Sequence, residues 1–559
     1  MIRLPIDPSL PHLLAAPILL PLATAALMLL IGEQRRRTKA VMNLVSTGFG
    51  LLLALGLLVW IDHVDKTAAF GVYLPGNWPV PFGIVLVLDR LSALMLVLTA
   101  IVASAVVVYA TARWQHGGVY FHVLFQLQLM GLYGAFLTAD LFNLFVFFEV
   151  LLAASYGLLL HGGGSARVRA GLHYIAINLV ASLLLLIGVA AIYAVAGTLN
   201  MADIAHKLPL LPESDRGLLY AAATMLAVAF LAKAAAWPLN FWLPPAYAAA
   251  SAPAAAMFAI LTKVGIYAIL RLWSLCFPNA PGALPPFGQE VLIWSGLATL
   301  GCGAIGMLAS QTLGRFAGFS VIASSGTLLA AIGLAQTRLT GGALYYLASS
   351  TLAACALYLL VELIDRIREI AAIEEGFDDG GDDLRPFDTP ALPEGSNLDD
   401  SEQVLTGRPL PAALAFLGLG FGTCALLIAG LPPLSGFVGK FTMLSVLVDG
   451  DLRAWALFAM LLISGLLATI GLIRAGMRHF WAGATRSSPR IHLFESLPLA
   501  FLLGICVLLT LRAETTLRYT QATARALHSP QLYVEAVLSA RPVPPPRSSE
   551  PRVDQELPP

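Results

Sequence analysis

The chain has 559 residues, 58% hydrophobic and only 12% charged, with 33 basic residues balancing 33 acidic ones. An ordinary soluble domain carries about 25% charged residues, so a fully water-exposed surface is excluded; zero net charge argues neither for nor against a nucleic-acid partner, and it is the apolar character of the chain that speaks against one. Apolar runs recur along nearly the whole chain, each near the roughly 20 residues a bilayer-spanning helix needs. They do not alternate in polarity as barrel strands would. The expected fold is therefore an all-α integral membrane protein of about fourteen transmembrane helices.

In chain order, spans are expected over 12–32, 40–61, 84–111, 120–137, 139–160, 170–196, 218–241, 253–273, 289–310, 314–335, 341–365, 412–447, 454–480 and 494–512. The first lacks a basic leader and a small-residue cleavage site, so it is read as a retained span. In span seven Trp237-Pro238 is followed by Leu243-Pro244-Pro245; span twelve contains Gly430-Leu431-Pro432-Pro433-Leu434-Ser435-Gly436. Proline removes a backbone donor and clashes with the preceding turn, so both spans should be broken. Interruptions five spans apart point to two repeated halves and to an ion path beside the breaks.

Basic residues cluster in alternate short loops: Arg35, Arg36, Arg37 and Lys39; Arg113; Arg167 and Arg169; Arg315; Arg474, Arg478, Arg486 and Arg490. The opposite loops hold only Lys66, Lys207, Arg216, Arg338 and Arg453. Odd spans are thus expected to end in the cytoplasm, with both termini outside. The acidic, Gly/Pro-rich segment 366–411 reads as a flexible cytoplasmic connector, and 513–559 as a polar, Pro-rich tail.

Six of the 33 basic residues are lysines, and three of those, Lys233, Lys263 and Lys440, fall inside apolar spans seven, eight and twelve. Glu149 lies in the apolar stretch 141–150 of span five. An ionisable group at the bilayer centre costs about 2.5–3.5 kcal/mol on insertion scales, so four such residues are candidates for ion translocation. Lysine suits a proton path because burial makes its proton releasable, whereas arginine stays charged. Asp140 is a candidate entrance or capping residue. Asp89-Arg90 anchor the start of span three, and His173 and Asn178 are weaker candidates for a water chain. The five cysteines are scattered singly with no CxxC pair, so no metal site and no bound cofactor are expected. Gly301-Cys302-Gly303-Ala304-Ile305-Gly306 matches a dinucleotide fingerprint in form only. It lies inside a membrane span with no preceding strand, and close helix packing explains it better.

The stretches LTADLFNLFVFFEVLLAASYGLLLHGGG, LAKAAAWPLNFWLPPAYAAASAPAAAMFAILTKVGIYAILR and AGLPPLSGFVGKF resemble the proton-translocating, antiporter-like subunits shared with respiratory complex I. GTLNMADIA and HGGGSARVRAGLHY narrow the resemblance to the D subunits of the Mrp (Mnh, Pha) multisubunit monovalent cation/proton antiporters. It covers residues 12–512. The resemblance implies that Glu149 and Lys233 form an interacting pair, that Lys263 is a relay lysine, and that Lys440 stands at the far end of the hydrophilic axis. It implies two inverted five-helix repeats, spans four to eight (120–273) and nine to thirteen (289–480), preceded by 1–119 and followed by span 494–512. Many complex I relatives carry a histidine in span ten, where this chain reads Phe319-Ser320-Val321-Ile322-Ala323-Ser324-Ser325-Gly326. That departure favours the antiporter.

The implied function is a subunit, not an enzyme, of a complex that exchanges Na+ or K+ for protons across a bacterial inner membrane, with other membrane subunits and lipid as partners. The competing expectation is a proton-pumping subunit of a complex I-like quinone oxidoreductase or membrane-bound hydrogenase. Both use one charge axis and differ in what drives it.

Overall fold

The structure is a computed structural model, described here for residues 11–63, 70–114, 118, 120–277, 287–378, 412–481 and 491–542. The first helices are α1 (Ala16–Leu30), α2 (Arg36–His63), α3 (Arg90–Ala112), α4 (Phe121–Leu137), α5 (Leu141–Leu160) and α6 (Ser165–Ala196). A short α7 (Met201–Lys207) precedes α8 (Glu213–Lys233), α9 (Leu243–Ala249) and α10 (Ala252–Cys276). Then come α11 (Gln289–Ala309), α12 (Leu313–Gly333), α13 (Thr337–Asp378), α14 (Ala412–Ala429), α15 (Ser435–Leu447), α16 (Leu452–Gly476), α17 (Leu493–Leu511), α18 (Ala513–Leu527) and α19 (Pro530–Leu538). A two-stranded antiparallel hairpin, β1 (Gly71–Tyr73) and β2 (Leu86–Leu88), links α2 to α3. Among the described residues, twelve helices are long and apolar enough to cross a membrane, and three shorter apolar helices accompany them. The chain is a multi-pass membrane protein.

Burial sorts the helices into shells. The apolar stretch of α10 is wholly enclosed by protein, and α12 and α13 are nearly so, while α2, α6, α14, α16 and α17 leave most of theirs outward. The start of α10, Ala252-Pro253-Ala254-Ala255-Ala256, is small enough to let neighbours approach closely. The same logic governs α11 against α12: a Cβ on Gly303 would come within 2.5 Å of the Ala323 nitrogen, and Gly306 packs under Phe319. The glycine run that mimicked a nucleotide motif is a helix-packing seam.

Three sequence expectations shift. Span seven breaks five residues before Pro238, at Lys233, because Ala235 turns left-handed (φ 54°) and the chain runs on in turns to α9. The freed backbone is re-satisfied by α11, whose Thr299 Oγ1 accepts from Trp237 N at 2.8 Å. The last span before the acidic connector runs as helix to Asp378, beyond the expected end at 365; residues 379–411 of the connector lie outside the described residues. The tail begins with helices: Thr520, Thr523, Ala524 and Leu527 make a buried i, i+3, i+4, i+7 stripe on α18, which packs on α13. The tail from 543 onward lies outside the described residues.

Away from the lysines, α10 is locked to α3 by a buried ion pair. Arg271 donates to Asp89 through Nη1 at 2.6 Å and Nη2 at 2.7 Å, both side chains almost fully enclosed. Asp89 also caps α3 by accepting from Ser92 N at 2.8 Å. Removing one partner of such a pair strands the other charge, at about 3–5 kcal/mol. Arg271→Ala is therefore expected to lower the thermal midpoint of the purified protein clearly, with the Asp89→Leu/Arg271→Met double variant less affected. Equal midpoints for wild type and Arg271→Ala would refute this.

Candidate ion pathway

Each candidate lysine is held by neutral oxygens. Lys233, the last residue of α8, donates to Ser182 Oγ of α6 at 2.9 Å, and its ammonium lies 4.9 Å from the ring centre of Phe148. Lys263, midway along α10, donates to Ser324 Oγ at 2.8 Å and reaches Ser325 Oγ at 3.5 Å. These serines of α12 belong to the stretch 319–326, where the sequence departs from the complex I pattern. Ser324 Oγ in turn bonds Ser350 Oγ of α13 at 2.9 Å. Lys440 of α15 donates to the Ala429 carbonyl at 2.8 Å and the Ile428 carbonyl at 3.3 Å. These are unpaired C-terminal carbonyls of α14, where the helix dipole favours a cation.

The break in span twelve is thus what makes the Lys440 seat. Gly430 is left-handed (φ 76°), and a Cβ there would stand 2.5 Å from Lys440 Cδ and 3.0 Å from Nζ. Only glycine both takes that backbone and leaves room for the lysine. Between Lys440 and the Lys263 serines lies a cavity of about 20 Å3 lined by Ser320, Ser324, Tyr346, Ser350, Lys440 and Ser464, large enough for one water. Lys263, Ser324, Ser350, this cavity and Lys440 form one continuous polar path.

Glu149 and Lys233 are near neighbours but not an ion pair: Lys233 is turned to Ser182, and Glu149 Oε1 is buried with no hydrogen-bond partner. Among the described residues no hydrogen bond links Lys233 to Lys263 either. Glu149 lies on the outward stripe of α5 with Phe142, Val146 and Ala153. Asp140 caps α5, accepting from Asn143 N at 2.8 Å. Of the weaker candidates, Asn178 only back-bonds to the Tyr174 carbonyl and His173 is exposed, so neither joins the path. Ser182 and Ser350 carried no sequence signal of their own; Ser324 and Ser325 stood in the stretch 319–326, but only their distance from Lys263 identifies them as its partners.

At one end of the bundle a cleft of about 410 Å3 opens where α3 ends, α10 and α12 begin and α13 passes. Arg113, Arg167, Glu362, Asp365 and Arg366 line it. Glu362 accepts from Trp114 Nε1 at 2.9 Å, and Arg366 grips Glu495 of α17 at 2.7 and 3.0 Å. At its floor the buried hydroxyls of Ser251 and Tyr358 have no partner. From Ser251 to Lys263 is twelve residues of α10, about 18 Å.

A helical membrane bundle with broken helices and buried, oxygen-held lysines is an ion-translocating class of protein. The sequence family described as the NADH:quinone oxidoreductase/Mrp antiporter transmembrane family matches residues 138–375. A probable K(+)/H(+) antiporter D subunit from Rhizobium meliloti is 51% identical over 541 residues, 95% of this chain and 98% of that one. The Na(+)/H(+) antiporter D subunit of Alkalihalophilus pseudofirmus is 32% identical over 94% of this chain and 99% of its own. Among solved structures, a chain of the Mrp complex from Dietzia sp. DQ12-45-1b superposes with a TM-score of 0.77 at 25% identity, covering 95% of this chain and all of that one. The chain belongs to the family of Mrp-type antiporter D subunits.

Proposed function

We propose that this chain is the proton-carrying subunit of a multisubunit monovalent cation/proton antiporter, and that protons move along Glu149, Lys233, Lys263 and Lys440. The observation that carries the reading is that all three lysines are buried against neutral oxygens, with no carboxylate among the described residues within salt-bridge distance of them. A lysine held that way can give up its proton without stranding a partner charge. The cleft above Ser251 is the cytoplasmic vestibule in this reading, and Lys440 hands protons toward the far side. The interrupted pairs α8/α9 and α14/α15 are corresponding members of two inverted repeats, within fourteen spans overall. An unpaired carboxylate on the outward stripe of α5 would be costly against lipid, so a neighbouring membrane subunit covers the stripe that holds Glu149. The name of the 51% identical relative makes K+ the first cation to assay, with Na+ second.

The test is cation-dependent collapse of a pH gradient in everted vesicles from cells lacking only this subunit, with the chain restored on a plasmid. Exchange that appears only on restoration supports the reading; exchange independent of the chain overturns it. Orientation has its own test. A cysteine at Arg37 should resist impermeant thiol reagents in intact cells and react in everted vesicles, and the reverse would invert the topology.

A further inference from the structure

The lysine path leaves a second set of buried polar groups unused, between α1, α2 and α4. On α2, Lys39, Asn43 and Thr47 recur at i, i+4, i+8 on one face, all at most 2% exposed. On α4, His122, Gln126 and Tyr133 face them, again at most 3% exposed. Gln126 Nε2 donates to Asn43 Oδ1 at 2.7 Å and to Thr47 Oγ1 at 3.1 Å. Asn43 Nδ2 lies 2.8 Å from His122 Nδ1. From α1, Thr24 Oγ1 donates to Ser46 Oγ at 2.9 Å, closing the third side. Three atoms on this face are buried without any partner: His122 Nε2, Gln126 Oε1 and Tyr133 Oη.

Lipid cannot satisfy such atoms, and buried polar groups are as a rule hydrogen-bonded, so water must reach them from within the protein. Gly50 of α2 faces Tyr133 and leaves a methyl-sized gap there, since a Cβ on Gly50 would sit in ordinary contact with Oη at 3.8 Å. The mouth lies at the α2 and α4 N-termini, beside the cleft lined by Glu362, because His161 Nε2 bonds the Trp114 carbonyl at 3.0 Å while Trp114 holds Glu362. From His122 to Tyr133 is eleven residues, about 16 Å, roughly half the hydrocarbon thickness. One turn beyond, the Phe136 carbonyl accepts from Tyr267 of α10 at 2.7 Å, and Tyr267 is one turn from Lys263.

We propose that α1, α2 and α4 enclose a hydrated polar half-channel, separate from the lysine path, that conducts protons from the α2/α4 mouth to the level of Tyr133. Its occupant is water. The groups beside His122 that carry or can carry charge are Lys39 of α2 and His161 after α5. At the mouth Lys39 and Arg35–Arg37 outnumber Glu33, which accepts from Tyr120 Oη at 2.9 Å, and that balance disfavours a metal cation, while water and imidazole pass protons by exchange. Asn43 Oδ1 is taken by Gln126 and Thr47, so Asn43 Nδ2 donates to Nδ1 and His122 carries its hydrogen on Nε2. In one transfer the ring takes a proton from water on Nδ1 as Asn43 swings away, and releases the Nε2 hydrogen to the next water; its charge is then unchanged.

Two measurements on the assembled complex test this. The first is the rate at which a small methanethiosulfonate reagent modifies Thr47→Cys in everted vesicles, against Leu44→Cys on the lipid-facing side of α2 and the wild-type cysteine background. A thiol ionises and reacts only where water reaches it, so Thr47→Cys should react at least about tenfold faster. A rate no higher than that of Leu44→Cys overturns the proposal. The second is the cation-dependent proton flux of His122→Gln, which keeps a hydrogen-bonding side chain but cannot relay, and of the nearly isosteric Tyr133→Phe, each corrected for membrane level. This arm rests on the antiport reading and is run only where wild type exchanges, so its failure is distinct from failure of that reading. Both variants should lose several-fold in flux. Reactive Thr47→Cys with wild-type flux in Tyr133→Phe would leave only structural water and overturns the proton path.

Discussion

Replacing Lys233 with alanine is expected to abolish cation-dependent proton exchange while leaving the protein in the membrane at normal abundance. The lysine contributes one hydrogen bond, to Ser182, and one ring contact, to Phe148, so its loss uncovers no buried charge on a bonded partner. Removing the ammonium also removes an insertion cost of about 2.5–3.5 kcal/mol. A group that takes and gives a proton in the rate-determining transfer is worth about 10²–10⁴-fold, so exchange should fall below detection. Glu149→Gln should fall nearly as far, because it deletes the carboxylate closest to Lys233. Asp140→Asn should retain weakened exchange, since an amide oxygen can still accept the capping bond from Asn143. Near-normal exchange in Lys233→Ala at normal abundance would make the buried lysine structural.

Gly430→Ala is expected to be almost as damaging as Lys440→Ala, although it changes no charge. The new methyl meets Lys440 Cδ at 2.5 Å, and alanine in a left-handed backbone costs about 1–2 kcal/mol. The ammonium can no longer rest on the Ala429 carbonyl without moving that turn. Gly422, on the helix that ends just before Gly430 and with open space where a Cβ would go, supplies the control: Gly422→Ala should exchange like wild type. Parity of Gly430→Ala with Gly422→Ala, measured as initial rates in everted vesicles, would mean that the Lys440 seat has no part in transport.

The membrane architecture was legible because apolar length is a strong signal. Every expected span overlaps a helix, though the first residues of the third are strand and cap and α9 lies past the expected end of the seventh, and the two proline clusters lie at or beside both interruptions. The three lysines and Glu149 stood out because a charge within twenty apolar residues is costly to insert. What stayed hidden was orientation within the bundle. Nothing in Phe142-Val146-Glu149 tells a reader that this face points outward and that Lys233 turns to Ser182 rather than to the glutamate. Arg271 was invisible for the opposite reason: near a span end an arginine reads as an interfacial anchor, and only the fold brings Asp89 to it from 182 residues away. The helices of 513–538 were missed because their polar composition masked an amphipathic period that has a surface to pack on only once the bundle exists.

Proton release by the buried lysines is tested most directly by Lys233→Arg. Arginine keeps the positive charge and a donor for Ser182 but holds its proton throughout the physiological range. In proteoliposomes holding the purified complex, with an internal pH dye and an imposed K+ or Na+ gradient, the arginine variant should show no cation-driven proton movement above protein-free liposomes. Cation-driven alkalinisation or acidification at the wild-type rate would show that the charge alone suffices, and would contradict proton passage through Lys233.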